Sequence, residues 1–401
     1  MVDVRVISNK ERVNSARVRP LSYKITPDCV GDTVTFSLSR PRNLSVEVNG
    51  DIFHNLHLFA NPIDKFRPSD KEIQRALKKK KGSNLIYFGP GVHNLPNDTL
   101  FVPSGTTVYI DGGARVYGNI FTEGAHDVNI FGRGEVHPDG RGAGVWVRRS
   151  KNVRIDGIVV SQLPIGQCDS VELTNVKSIS YYGWGDGMDV FSSSNVILDG
   201  VFCRNSDDCA AVYASTQGFK GGSNNVLVKN ATLWADVAHP INIGGHGDPN
   251  GMDTVQNVTF RNIDILDQAE NQIDYQGCLA INPGDNTLVR NITFENIRIE
   301  DFRNGQLVNF RISFNPKYCV STGRGIQNVL VKDVTYNGSG ENLSIIAGYD
   351  ENHKIFGIRF VNLVVNGRKI TDDMPGKPKW YKTGDMAGIF VGEHVENLSF
   401  E

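Results

Sequence analysis

Apolar residues along most of this chain alternate with polar ones in short runs, and Asn, Asp or Gly separates each run from the next. From about Asp127 one template recurs: Asn, alternating apolar residues, Asn or Asp, then another apolar residue. Its copies begin Asp127-Val128-Asn129-Ile130, Asn152-Val153-Arg154-Ile155, Asn175-Val176-Lys177-Ser178, Asn195-Val196-Ile197-Leu198 and Asn225-Val226-Leu227-Val228. They continue through Asn257-Val258-Thr259-Phe260, Asn291-Ile292-Thr293-Phe294, Asn328-Val329-Leu330-Val331 and Gly357-Ile358-Arg359-Phe360. The trailing Asp156, Asp199, Asn230, Asn262, Asn296, Asp333 and Asn362 hold one register to within a residue. A period of two marks short strands with one buried face. Asn and Asp tolerate left-handed backbone and bond their own turns, so they suit corners. Copies recur roughly every 20 to 37 residues, the range of a solenoid, with loops of variable length between strands. One rung cannot bury its apolar face alone, whereas stacked rungs share a core. The pattern predicts an all-β chain built on a right-handed parallel β-helix. A β-sandwich would show hairpin turns at regular short spacing instead.

The first part of the chain differs. Val18-Arg19-Pro20-Leu21, Thr33 to Leu38 and Leu44 to Gly50 read as strands between Pro, Gly and Asn turns. Residues 1-65 are therefore expected to form a small antiparallel β-sandwich that covers the exposed first edge of the solenoid. Residues 66-83 read as a connecting helix, opened by the capping box Ser69-Asp70-Lys71-Glu72, ended by Lys78 to Lys81 and closed by Gly82. Residues 84-401 make up the β-helix domain. The net charge of -2 gives no footprint for nucleic acid or an anionic membrane. No stretch approaches the roughly 20 apolar residues that span a bilayer. No charged-then-apolar leader opens the sequence, and a removed leader would leave the same residues, so localisation stays open. The six cysteines lie far apart without metal-site spacing. Eight Asn-X-Ser/Thr sequons, Asn230, Asn257 and Asn291 among them, fall mostly at the recurrent turns and are read as corner residues. Neither a cofactor nor a metal is expected.

The chemistry concentrates in two acidic clusters, Gly185-Asp186-Gly187-Met188-Asp189 and Asn205-Ser206-Asp207-Asp208-Cys209, followed by Gly244-Gly245-His246-Gly247. Adjacent carboxylates repel, so a fold seldom keeps such a pair without a use. In a β-helix, residues one rung apart stack at roughly 4.8 Å. Asp186 precedes Asp207 by about one rung and should lie one layer from the Asp207-Asp208 pair. Glycosidic cleavage with inversion needs one carboxyl to protonate the leaving oxygen and another, roughly 6.5 to 9.5 Å away, to activate water. Close carboxylates raise one another's proton affinity, which keeps one protonated near neutrality. The glycines beside Asp186 and His246 would let a bulky ligand approach the backbone. Against this stands the reading of these residues as corner positions, which suits Asp189 at least as well. A calcium site is a second competitor.

These motifs resemble those of the polygalacturonase clan, glycoside hydrolase family 28 and its relatives in the dextranase and isopullulanase family 49. The family pattern Asn-Thr-Asp-Gly-Phe-Asp is similar to Trp184-Gly185-Asp186-Gly187-Met188-Asp189. Asp-Asp-Cys is matched by Asp207-Asp208-Cys209, and Gly-His-Gly by Gly245-His246-Gly247. The likeness covers roughly residues 84 to 365, with a family-49-like sandwich in front. It implies that Asp207 is the general acid, that Asp186 and Asp208 hold and deprotonate the water, and that His246 tunes Asp207 through a hydrogen bond. Two departures follow from the same comparison. The Arg-Ile-Lys that grips a uronate in polygalacturonases is replaced by Leu279-Ala280-Ile281-Asn282, so both cations are missing. The half-cystine expected before Gly-His-Gly is replaced by His239-Pro240-Ile241-Asn242, which leaves Cys209 a buried free thiol. Trp184 and Tyr213 are the candidate sugar-stacking residues. Asn282 stands at the substrate-facing position of the altered motif, and Arg311 or Lys317 could supply a cation from a later rung. Tyr275, Phe314 and Tyr318 read better as loop packing. The resulting expectation is an inverting glycoside hydrolase acting on a polysaccharide or its oligosaccharides, on a neutral or non-standard pectic glycan. A true polygalacturonase is the alternative, ahead of a β-helix lyase or a non-catalytic glycan-binding solenoid. The oligomeric state is open.

Overall fold

The computed structural model describes residues 1–78, 82–138, 140–339 and 341–401. Lys79, Lys80 and Lys81, expected to end the connecting helix, lie outside the described residues. The chain divides into two compact units, Met1–Lys65 and Phe66–Glu401.

The first unit holds two three-stranded antiparallel sheets. Val2–Ile7, Thr33–Leu38 and Asp28–Val30 make one, and Ala16–Arg19, Arg42–Val48 and Asp51–Ala60 the other. Alternation along Thr33–Leu38 sends Val34, Phe36 and Leu38 inward to meet Leu44 and Val46 in a small apolar core.

The second unit opens with the helix Asp70–Leu77, whose Ser69 side chain and Glu72 carboxylate cap each other's backbone N–H groups. A 29-stranded sheet then winds as a right-handed parallel β-helix with three faces. On the first face Val145–Arg148, Ile165–Gly166, Val190–Phe191, Ala210–Tyr213, Ile241–Ile243, Leu279–Ile281 and Val308–Arg311 pair in that order. The second face runs through Lys151–Asp156, Asp169–Thr174, Ser194–Asp199 and Ser223–Lys229. Glu135–His137, Val159–Val160, Lys177–Ile179, Phe202–Asn205 and Thr232–Ala235 form the third.

The corners explain the recurrent Asn and Asp. Asn195, Asn225, Asn257, Asn291 and Asn328 all take left-handed backbone, with φ between 55° and 57°. Their side chains bond from rung to rung: Asn225 Nδ2 donates to Asn195 Oδ1 at 2.7 Å, and Asn291 to Asn257 at 3.1 Å. Asn230, Asn262 and Asn296 form a second ladder at the next corner. Asn175 belongs to that second corner and not, as the template suggested, to the first. Thr174 pairs with Asp199, which sets Asn175 opposite Gly200, and Ser170 holds the left-handed position at the start of its rung. Inside, one continuous apolar core runs the length of the solenoid and includes the stacked rings of Phe260, Phe294, Phe310, Phe360 and Phe400.

Candidate active site

The acidic clusters sit in the loops that lead into the first face. Asp186 and Asp189 precede Val190–Phe191, Asp207 and Asp208 precede Ala210–Tyr213, and His239 precedes Ile241–Ile243. The β-ladder extends into these loops: Gly187 N donates to Asp208 O at 2.7 Å, Met188 N to Cys209 O at 2.9 Å, and Cys209 N to His239 O at 2.9 Å. Asp186, the Asp207-Asp208 pair and His239 therefore occupy three successive rungs.

Local sequence holds the Asp186 loop in place. Asn205 Nδ2 lies 3.1 Å from Asp186 O and 3.0 Å from the hydroxyls of Ser178 and Ser180. Ser180 Oγ donates to Gly185 O, and Ser206 Oγ to Tyr182 O at 2.5 Å. The glycines serve this packing rather than ligand access. A Cβ on Gly185 would meet Ser206 Oγ at 2.4 Å, on Gly187 Cys209 O at 2.2 Å, and on Gly247 Thr287 Oγ1 at 2.0 Å. Asp189 is not a left-handed corner residue. It is buried, and its carboxyl shares a hydrogen bond with Asp186.

The four aspartates differ sharply in environment. Asp208 is buried and accepts four hydrogen bonds. His239 N and Nδ1 reach its Oδ1 at 3.0 and 2.7 Å, while Tyr213 Oη and Asn242 Nδ2 reach Oδ2 at 2.6 and 2.8 Å. Burial alone would raise its proton affinity, but the His239 imidazole and these donors outweigh it and hold Asp208 below the usual carboxylate range. Asp207 is given one donor, the Asp208 N–H at 3.0 Å from its Oδ1. Burial and the charges of Asp208 and Asp186 push it up to about 8. Burial and Asp208 likewise push Asp186 up to about 7. Asp189 rises too, through burial and the surrounding carboxylates. The arrangement pairs a fixed anion with neighbours that hold their protons near neutrality.

Among the described residues, no hydrogen bond joins His246 to Asp207. The His246 ring packs edge-on against Tyr213 at 5.0 Å and hydrogen-bonds the Tyr318 backbone, and burial lowers its proton affinity. Trp184 stands 66% exposed on the Asp186 loop. Tyr213 is buried in a small cluster with Phe191, Ala211 and Phe219. Asn282 Nδ2 bonds Asn309 Oδ1 at 3.1 Å and the Arg311 backbone at 3.4 Å. The Arg311 guanidinium is paired with Asp274 at 2.7 Å. Lys317 Nζ lies 3.2 Å from Gln272 Oε1 and within electrostatic reach of Asp207 and Glu270. Tyr275 stacks on Tyr318 at 4.8 Å, meets the His239 ring edge-on at 4.2 Å and lies 3.5 Å from Asn242. Cys209 is buried and free. His239, Asn242 and Glu270 were not singled out from the sequence. The only signal for the first two was their place in the segment that departs from the family's half-cystine.

Comparison with known proteins gives the family. The sequence profile described as glycosyl hydrolases family 28 matches residues 141–374, more than half of the chain. An exopolygalacturonase of Cochliobolus carbonum is 24% identical over 206 residues, 45% of this chain and 44% of that protein. A probable endo-xylogalacturonan hydrolase A of Neosartorya fischeri is 29% identical over 168 residues, 40% and 38% of the two chains. The chain thus spans less than half the length of these two relatives. Among solved structures, the Yersinia enterocolitica family 28 exopolygalacturonase superimposes with a TM-score of 0.57 at 13% identity, over 92% of this chain and 86% of the other. Dex49A from Penicillium minioluteum gives 0.60 at 13% identity, over 99% and 81%. These two likenesses speak for the fold.

Proposed function

The chain belongs to glycosyl hydrolases family 28, and from that premise we propose that it hydrolyses glycosidic bonds in a polysaccharide or its oligosaccharides with inversion at the anomeric carbon. Asp207 is the general acid, because it holds a proton near neutrality beside two other carboxyl groups. Asp186, one rung away and ionised over part of the same range, activates the water. Asp208 plays a different part from the shared water-holding role that the resemblance implies. Both of its oxygens are taken up by protein donors, so it acts as a fixed anion that keeps the proton on Asp207. The fourfold clamp on Asp208 beside an Asp207 given one donor is the observation that carries this reading.

The substrate is a neutral or non-standard pectic glycan. Ala280 and Asn282 offer no cation where a uronate would be gripped, and Arg311 is neutralised by Asp274. A true polygalacturonase is the second reading, favoured by the Lys317 ammonium within electrostatic reach of Asp207. Reducing-sugar release is to be measured on polygalacturonate, xylogalacturonan, galactan and dextran. Turnover of at least one, with a loss of at least about 100-fold in Asp207→Asn, is the expected result. Normal turnover by that variant would overturn the assignment.

A further inference from the structure

Three aromatic side chains stack on the outside of the first face, on successive rungs. Phe101 and Phe121 are register partners with ring centroids 5.4 Å apart, and Phe121 and Trp146 are partners at 6.4 Å with planes inclined by 14°. Phe101 is 62% exposed, and Phe121 and Trp146 are half-buried. By contrast, the stacked rings from Phe260 to Phe400 lie inside the core. An outward ladder buries little for its own rungs, and a contiguous exposed apolar strip marks a contact surface.

Its register says what that contact is. Val147 pairs with Ile165 and Ile165 with Val190. One residue back along those strands, Trp146 aligns with Pro164 and Pro164 with Asp189. The ladder therefore occupies the same outward track as Asp189, at two to four rungs, or roughly 10 to 19 Å, from the carboxyl cluster. Two cations share one carboxylate beside it: Arg148, whose guanidinium lies 5.1 Å from the Phe121 ring, is paired with Glu123 at 2.5 Å and Arg149 with the same carboxylate at 3.1 Å, which leaves one surplus positive charge. An aromatic strip that runs into an acid cluster suits the apolar C–H faces of consecutive sugar rings, and a single surplus cation beside it is too little to mark a polyanion site.

We propose that Phe101, Phe121 and Trp146 form a stacking track that holds the distal sugars of a long glycan chain while its scissile bond lies at the aspartate cluster. The proposal rests on the glycosidase reading for its direction along the face, and it adds a preference for polymers over short oligosaccharides. The track is tested by isothermal titration in an Asp207→Asn background, so that the ligand stays intact. Polygalacturonate, xylogalacturonan and dextran serve as probes, each against a trisaccharide cut from it. For the polymer that binds, Trp146→Ala and Phe121→Ala should each reduce the ratio of trisaccharide to polymer Kd about tenfold, while Trp146→Phe retains most of it. Thermal melts that match the parent exclude a folding defect. An unchanged ratio would overturn the track. So would a dimer that Trp146→Ala dissociates, since the ladder would then be a subunit contact. If the native chain cleaves none of these glycans yet polymer binding depends on Trp146, the hydrolase reading fails and the track stands. Cleavage without any dependence on Trp146 gives the reverse.

Discussion

Asp207 and Asp208 are neighbours in sequence and opposites in environment. Four donors fix Asp208 as an anion, and that charge, together with burial, makes Asp207 slow to lose its proton. With Asp186 as the base, kcat/KM should fall below about 7, where Asp186 takes up a proton, and above about 8, where Asp207 gives one up. Full activity at pH 4 would show that the low-lying Asp208 is the base instead. His239 acts through Asp208. His239→Ala removes one of the four hydrogen bonds that disperse the Asp208 charge, so that charge acts more strongly on Asp207 and the alkaline limb should move up. A purely structural role would lower kcat without moving that limb. The spacing from Asp186 to Asp207 was legible because both lie in loops of nearly equal rung length. His239 and Asn242 were not, because the next rung is longer: Val190 pairs with Val212, but Ala210 pairs with Ile241. With rungs of unequal length, counting residues does not show which loop side chains meet.

Strands and corners follow from two simple preferences, period-two alternation and tolerance of left-handed backbone. Asn257 shows both effects at once. Its φ is 56°, its Nδ2 bonds Asn224 Oδ1 at 2.8 Å, and its own Oδ1 accepts from Asn291. Asn257→Ala should cost about 1 to 2 kcal/mol in chemical denaturation, and Asn257→Gly less, because glycine adopts the left-handed conformation freely. Equal losses in the two variants would mean that the side-chain ladder, and not the backbone, dominates. The misplacement of Asn175 has the same origin. The two corners use the same residue type, so a single Asn followed by an apolar pair does not reveal which corner it occupies. The glycines beside Asp186 and His246 carried a similar ambiguity, since close approach to a ligand and close approach to the next rung leave the same residue.

The whole molecule was legible as a solenoid because every rung repeats one pattern, whereas the site depends on loops that repeat nothing. The site also sets a cost on the fold. Asp186 and Asp207 lie above their ordinary 3.8, so between about pH 4 and 8 the folded chain binds more protons than the unfolded one. That stabilisation is complete below about 3.8 and is lost as pH rises through 8. Asp207→Asn removes the share of this dependence that belongs to Asp207, so its Tm should exceed the parent's by at least about 2 °C at pH 8 and by little at pH 4.5. A constant difference across that range would deny Asp207 its buried, proton-holding environment. Hydrolysis with a water activated across from Asp207 can be read out by proton NMR of the anomeric signal in nascent product. The first sugar released should carry the inverted configuration before mutarotation. Retained configuration would contradict it.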